Sequence, residues 1–354
     1  MNHTLLFDKS SALQNSMKNN CDHSPDVTPF LGTSYSLLIF FCLLGNSSLI
    51  YVIWRRKEKG NVTHILIANL AFSDILVGIF CLPFTVVYTI MDYWMFGRCL
   101  CKITNFIGCA SVTVSIMILV LIALERHQLI IHPTGWKPSG PQAYTAVLLV
   151  WGLASLLALP LVYAVDLQVL YIFPDKSMCV EYWTSGQQRL AYTVTLLLLQ
   201  YVIPLCFIIC CYVRISVHLQ RREGLFGRSY NHMRRVNLML ASMLGAFAVC
   251  YLPLHIFNNI VEWNHQLIPV CYHNLIFALC HLVAMISTCI NPIIYGLLNS
   301  NVKQEVKILV QRCKGQRKKG ADTLDEAEKH PLSTKHPNAN AMLPGSPCTE
   351  VEQL

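Results

Sequence analysis

Residues 103–130 read ITNFIGCASVTVSIMILVLIALERHQLI. A helix needs about 20 mostly apolar residues to cross the hydrocarbon core of a bilayer, and this stretch passes that length before it meets a charge at Glu125-Arg126. Working outward, stretches of the same kind occupy 33–54, 65–88, 144–165, 192–218, 236–261 and 274–298, separated by short polar or basic breaks. The pattern predicts an all-α membrane protein, a bundle of seven transmembrane helices. Composition agrees: 13% of residues are charged and 54% hydrophobic, where a soluble domain carries about 25% charged residues. A soluble two-domain enzyme is excluded, and so is disorder of the bulk of the chain. Most of the 16 cysteines fall inside apolar runs (Cys42, Cys81, Cys206, Cys210, Cys211, Cys250, Cys280, Cys289), where a thiol behaves as a small hydrophobe. No self-similar halves are visible, which argues against a transporter of inverted repeats.

Lys and Arg concentrate on the cytoplasmic side of membrane proteins. With the N-terminus outside, only Lys9, Lys18, Arg98, Lys102, Lys176 and Arg189 of the 27 basic residues lie outside. The expected organisation is an extracellular segment 1–32, the bundle 33–300, an amphipathic membrane-surface helix 301–313 and a disordered cytoplasmic tail 314–354. The start MNHTLLFDKSS has no basic segment followed by a long apolar run, so no cleavable signal is expected. In 301–313, Val302, Val306, Leu309 and Val310 flank Lys303, Lys307 and Arg312, a pattern for a helix on the anionic inner leaflet. Cys313 next to it is either a palmitoylation site or an ordinary reduced thiol. Asn2 heads an extracellular glycosylation sequon, Asn2-His3-Thr4. The basic clusters Arg55-Arg56-Lys57 and Arg317-Lys318-Lys319 sit at membrane edges and read as lipid-facing flanks, with no nucleic acid implied.

A charge near the bilayer centre costs at least ~2.5 kcal/mol, so each one there requires an account. Asp74 lies mid-helix in LAFSDIL. It is either a neutral acid held by hydrogen bonds or a carboxylate that holds a small cation with oxygens from Asn46, Ser115 and Asn291. Glu125-Arg126-His127 ends the third span, as interfacial anchors or as a pair that breaks and re-forms. Pro83, Pro160, Pro204, Pro253 and Pro292 place a site of bending in five of the seven spans. A transporter would need several ionisable groups at mid-membrane depth, and only Asp74 is clearly there. Outside, eight acids (Asp8, Asp22, Asp26, Asp92, Asp166, Asp175, Glu181, Glu262) face those six bases, on a chain whose net charge is +8. Such a mouth attracts a basic ligand, or it records only the depletion of outer bases.

Gly45-Asn46, Asn69-Leu70 with Asp74, Glu125-Arg126-His127, Trp151, Pro204, Cys250-Tyr251-Leu252-Pro253 and Asn291-Pro292-Ile293-Ile294-Tyr295 occur in order, one group per span. Together they resemble the rhodopsin-like G-protein-coupled receptors. The resemblance implies that Arg126, beside Glu125, is the cytoplasmic switch arginine and Tyr295 its partner in the active state, with Tyr251 and Pro253 in the moving sixth span. It also implies a sodium site at Asp74, Ser115 and Asn291 as the one allosteric ion, no other cofactor, and a disulfide between Cys101 and Cys179. Cys21 and Cys271 would then make a second pair, leaving Cys99 over. Retinal is excluded because 274–298 lacks a lysine, and a biogenic amine because Gly108 stands where an aspartate is needed.

The runs VYTIMDYW (87–94), ERHQLII (125–131) with GWKP (135–138), EWNHQ (262–266) and CHLVAMISTC (280–289) are similar to receptors for neuropeptide Y, peptide YY and pancreatic polypeptide, in particular the subgroup of types 1, 4 and 6. Such receptors bind a peptide ending in an amidated Arg-Tyr, and an acid at the outer end of the sixth helix pairs with a peptide arginine; Glu262 takes that place. Tyr251, His255, Asn258 and Glu262 share one helical face by spacing, as do Phe277 with His281, and Thr85 and Tyr88 with Asp74. Thr85, Tyr88, Asp92, Phe257, Asn258, Glu262, Phe277 and His281 make the expected peptide site. Gln200 is an amide in an apolar run and must bond either a neighbouring helix or the peptide; it is assigned to the peptide. Two departures stand out: Gly108 replaces the family's usual glutamine, and Tyr251 its sixth-helix tryptophan. The implied function is a plasma-membrane receptor, not an enzyme, that lowers cyclic AMP through an inhibitory G protein. Its alternatives are a receptor for another peptide class or a weakly coupled peptide binder.

Overall fold

The computed structural model describes residues 27–55, 60–169, 177–221, 227–263 and 270–298. Seven helical spans are present among them. In chain order the elements are α1 (Thr28–Arg55), α2 (Val62–Phe80), α3 (Leu82–Met91), α4 (Gly97–Ile131), α5 (Gly140–Ala164), β1 (Val165–Val169), β2 (Ser177–Glu181), α6 (Gly186–Leu197), a π-turn (Leu198–Val202), α7 (Ile203–Arg221), α8 (Gly227–Trp263) and α9 (Val270–Leu298). The second span is α2 with α3, and the fifth is α6, the π-turn and α7. In hydrocarbon every backbone N–H and C=O must be paired within its own segment, which is why apolar runs of this length become helices.

Each break inside a span has a local cause. Pro83 lies in the first turn of α3 and cannot donate to the preceding turn, so α2 ends at Phe80 and the chain restarts at Leu82. The π-turn immediately precedes Pro204, whose missing N–H frees a carbonyl one turn back. Pro160, Pro253 and Pro292 sit inside α5, α8 and α9 without ending them.

The helices run past the expected bounds. The first begins at Thr28 rather than 33, and the third at Gly97 rather than 103, because hydropathy marks the buried length whereas the helix continues into its polar ends. Two short strands were not foreseen. β1 and β2 form an antiparallel hairpin that pairs Asp166 with Val180 and Leu167 with Cys179. The Cys101–Cys179 disulfide, implied above by resemblance, ties this hairpin to the first turn of α4. Cys99 is a free, exposed thiol. The expectations for Asn2, Cys21, the Cys271 side chain, the 301–313 helix, Cys313 and the tail lie outside the described residues.

The first, second and seventh spans share a core of Leu31, Tyr35, Leu38, Cys42, Val77, Leu82, Ala278 and Met285. Gly45 permits the approach of the first span to the seventh: a Cβ there would stand 2.9 Å from Pro292 Cγ. One residue on, Asn46 donates to the Thr288 carbonyl across the same contact at 2.9 Å. Near the hairpin, Trp94, Cys101, Leu161 and Val165 are buried together with Tyr88, Phe96 and Cys179 against them. Leu148, Leu149, Leu153 and Leu156 on α5 are exposed, as suits side chains facing lipid.

Candidate functional site

At the end of the bundle that carries the hairpin, the last turn of α8 holds Glu262 and the first turn of α6 holds Arg189. Arg189 Nη2 stands 2.7 Å from Glu262 Oε1, with the glutamate side chain 9% exposed and the arginine 37%. Between the sixth and seventh spans, Phe257 packs against His273 and Phe277, with ring centroids 5.1 and 5.9 Å apart. Phe277 in turn stacks on His281. His281 Nδ1 lies 2.9 Å from the Tyr35 hydroxyl of the first span, and that hydroxyl donates to the Ala278 carbonyl. Asn258 is exposed on the same end of α8.

The second span contributes less directly. Tyr88 packs edge-on against Trp94, so its ring supports the hairpin end of the bundle. Thr85, one turn deeper, is half-buried. Asp92 caps α3 in the left-handed region, at φ 56°, a conformation Asp tolerates better than most residues. Its Oδ1 accepts from Asn274 Nδ2 at 3.3 Å, joining the second and seventh spans.

Gln200 bonds the neighbouring third span. Its Nε2 donates to Thr113 Oγ1 at 2.7 Å and also lies 3.3 Å from the Cys109 carbonyl. Gln200 lies in the π-turn, and through these bonds it ties the fifth span to the third. Gly108 faces ordinary van der Waals space, since a Cβ there would meet Cys81 Sγ at 3.7 Å. The position offers no polar group.

Deeper in the bundle, the buried Asp74 carboxylate accepts from Asn291 Nδ2 at 2.9 Å. Among the described residues no basic side chain pairs with it. Ser73 donates to the Ser111 carbonyl, and its oxygen lies 2.9 Å from Ser115 Oγ. With the Ser73 proton committed, Ser115 is the donor of that pair and keeps its lone pairs free. Asn46 Oδ1 and Ser111 Oγ are buried without hydrogen-bond partners. A buried carboxylate with no basic partner, in a bundle that also holds unused buried oxygens, is chemistry that fits a small cation.

At the opposite end of the bundle, Glu125 is buried and accepts from Thr63 Oγ1 at 2.8 Å. Arg126 donates to the same Thr63 oxygen and approaches Glu125 Oε2 to 3.6 Å. Its Nε is buried and unpartnered. Tyr295 is almost wholly buried. Tyr251, ahead of Pro253, stacks on Phe247 at 4.4 Å.

Residues 45–295 match the family of seven-transmembrane receptors of the rhodopsin type. The chain is 50% identical over 331 residues to human neuropeptide Y receptor type 4-2, covering 90% of this chain and 87% of the relative. It is 44% identical to type 1 from Xenopus laevis, covering 86% of each chain, and 41% identical to type 6 from Oryctolagus cuniculus, covering 86% and 88%. The chain belongs to the neuropeptide Y receptor family. As a rhodopsin-type receptor with seven spans it is a multi-pass plasma-membrane protein and not an enzyme.

In this receptor the expected site residues divide into groups. Phe257, Phe277 and His281 come together, Glu262 lies at the outer ends of the fifth and sixth spans, Asp92 bridges the second and seventh, and Gln200 has gone to the third span. Sequence reasoning missed three partners. Arg189 was only one of six outer bases, Thr63 an unremarked residue at the start of the second span, and Thr113 one hydroxyl among several. Each is defined by what faces it across the bundle, a relation that spacing along one helix does not carry.

Proposed function

We propose that this chain is a receptor for C-terminally amidated peptides of the neuropeptide Y family, with its N-terminus outside, and that it lowers cyclic AMP through an inhibitory G protein. The observation that carries the reading is Glu262: a nearly buried carboxylate at the outer mouth, already paired with a guanidinium. A peptide arginine meets the same chemistry there, and the aromatic cluster of Phe257, Phe277 and His281 supplies apolar and ring surface for the terminal tyrosine amide. The first-to-last charge asymmetry of the chain supports the orientation, and the basic 301–313 segment suits contact with anionic lipid.

An agonist outside acts inside only by binding the active arrangement better than the inactive one. Arg126, held with Glu125 and Thr63, is in the restrained form, and release of that contact would free the guanidinium for a G protein. Asp74, Asn291 and Ser115 would hold a sodium ion that favours the restrained arrangement. Sodium supplies only charge there; Asn291 orients the carboxylate and Ser115 offers an oxygen.

The test is to express the full chain in cells, titrate neuropeptide Y, peptide YY and pancreatic polypeptide, and record binding and cyclic AMP. At least one peptide is expected to bind at nanomolar concentration and lower cyclic AMP. Absence of binding by all three would overturn the reading. Replacing sodium by a large organic cation is expected to raise agonist affinity several-fold in the parent and to leave Asp74→Asn unchanged.

A further inference from the structure

We propose that Arg189 is a resident substitute for the ligand's arginine: it holds Glu262 in the free receptor, gives it up to an incoming peptide guanidinium, and thereby sets how tightly a peptide must bind. The inference rests on the peptide-receptor reading above and adds to it an internal competitor.

Three observations support exchange at this contact. First, the pair is incompletely made. Nη2 approaches Glu262 Oε1, but the Arg189 Nε–H is buried with no hydrogen-bond partner, so the side-on fork that gives arginine–carboxylate pairs their strength is absent. Second, Arg189 is lightly anchored. It lies in the first turn of α6, whose residues Gly186–Leu197 include no buried side chain, and its backbone N–H reaches the Ser185 carbonyl only at 3.3 Å. Swinging it outward uncovers little apolar surface. Third, Glu262 cannot do without a cation. A carboxylate this far from water is strongly destabilised when unpaired, so departure of Arg189 is favourable only when another cation arrives.

The other described outer bases are committed elsewhere. Arg98 grips Asp166, and Lys102 Nζ donates to the Val162 carbonyl at 2.7 Å. Arg189 is therefore the group against which a ligand competes. Competition lowers apparent affinity by the fraction of receptor whose acid is free. If Arg189 holds Glu262 nine-tenths of the time, the effect is on the order of tenfold. A guanidinium able to form the full fork displaces it best; an ammonium, a point charge without that geometry, does so less well.

The experiment measures binding of neuropeptide Y, and of an analogue with its C-terminal-region arginines replaced by the neutral isostere citrulline, to parent, Arg189→Gln, Arg189→Ala and Arg189→Lys receptors at measured surface density. Arg189→Gln and Arg189→Ala are expected to bind the arginine peptide roughly five- to tenfold more tightly and the citrulline peptide no more tightly than the parent does. Arg189→Lys, which keeps the charge, is expected to stay within about twofold of the parent. If the parent binds the peptide and the neutral variants that reach the surface bind it equally or less well, Arg189 is no competitor and the inference falls while the peptide-receptor reading stands. If the parent binds no peptide of the family, that reading falls and this one with it.

Discussion

Arg98 grips Asp166 with two prongs, Nε to Oδ1 and Nη2 to Oδ2, whereas Arg189 meets Glu262 through Nη2 with its Nε–H unpartnered. The exposures are reversed as well. The forked pair lies in water, with Arg98 68% and Asp166 27% exposed; the second pair has its acid almost fully enclosed. Exposed pairs contribute little because water and salt screen them, and the fork at Asp166 serves to orient the β-hairpin on the top of α4. The enclosed Glu262 depends far more on having a cation beside it, yet its partner is held by less. Strength of geometry and dependence on pairing are thus separated, and the separation marks which pair belongs to the scaffold and which to the ligand.

The largest expected effect breaks the second pair. Glu262→Ala should weaken peptide binding by roughly 2–5 kcal/mol, about 30-fold or more, in saturation binding at matched surface density. Next comes the scaffold under the first pair: Cys179→Ser, which releases the hairpin that Arg98 orients, should lower surface expression several-fold by flow cytometry, since losing a native disulfide typically costs about 2–5 kcal/mol. Removing the fork while keeping the disulfide is much milder. Arg98→Ala should change peptide affinity by less than about fivefold.

The smallest effect is that of pH on the fork. The Arg98 guanidinium, with help from the Leu167 N–H, holds the Asp166 carboxyl down from 3.8 to about 2. A group with a lowered value adds stability above its ordinary range and loses it as pH falls through the lowered one. The hairpin contact should therefore be constant from pH 8 to about pH 4 and fade between about 4 and 2. The protection of the Leu167 amide, its exchange rate taken relative to the intrinsic rate at each pH, reads this directly, and a change in protection near neutrality would mean the fork is not formed.

Much of this was legible in the sequence because membranes make a strict demand. Seven apolar lengths left little choice of fold, and the rarity of charge exposed Asp74 and Arg126. The hairpin escaped because its ten residues alternate too briefly to register beside spans of twenty or more. Gln200 illustrates a different limit. An amide in an apolar run announces that it needs a partner, but only the π-turn ahead of Pro204 decides that the partner is Thr113. Arg189 was missed on the same ground: a base at a helix start is unremarkable until the acid across the bundle is known. Contacts along one helix can be read by counting, and contacts between helices cannot.

The reading of this mouth as a peptide site depends on Glu262 receiving an arginine of the ligand. A double-mutant cycle tests it most directly, pairing Glu262→Gln in the receptor with citrulline for arginine in the peptide and measuring the four affinities. Either change alone is expected to weaken binding strongly and the second then to add little, with a coupling of about 1.5 kcal/mol or more. Independent, additive losses would contradict it.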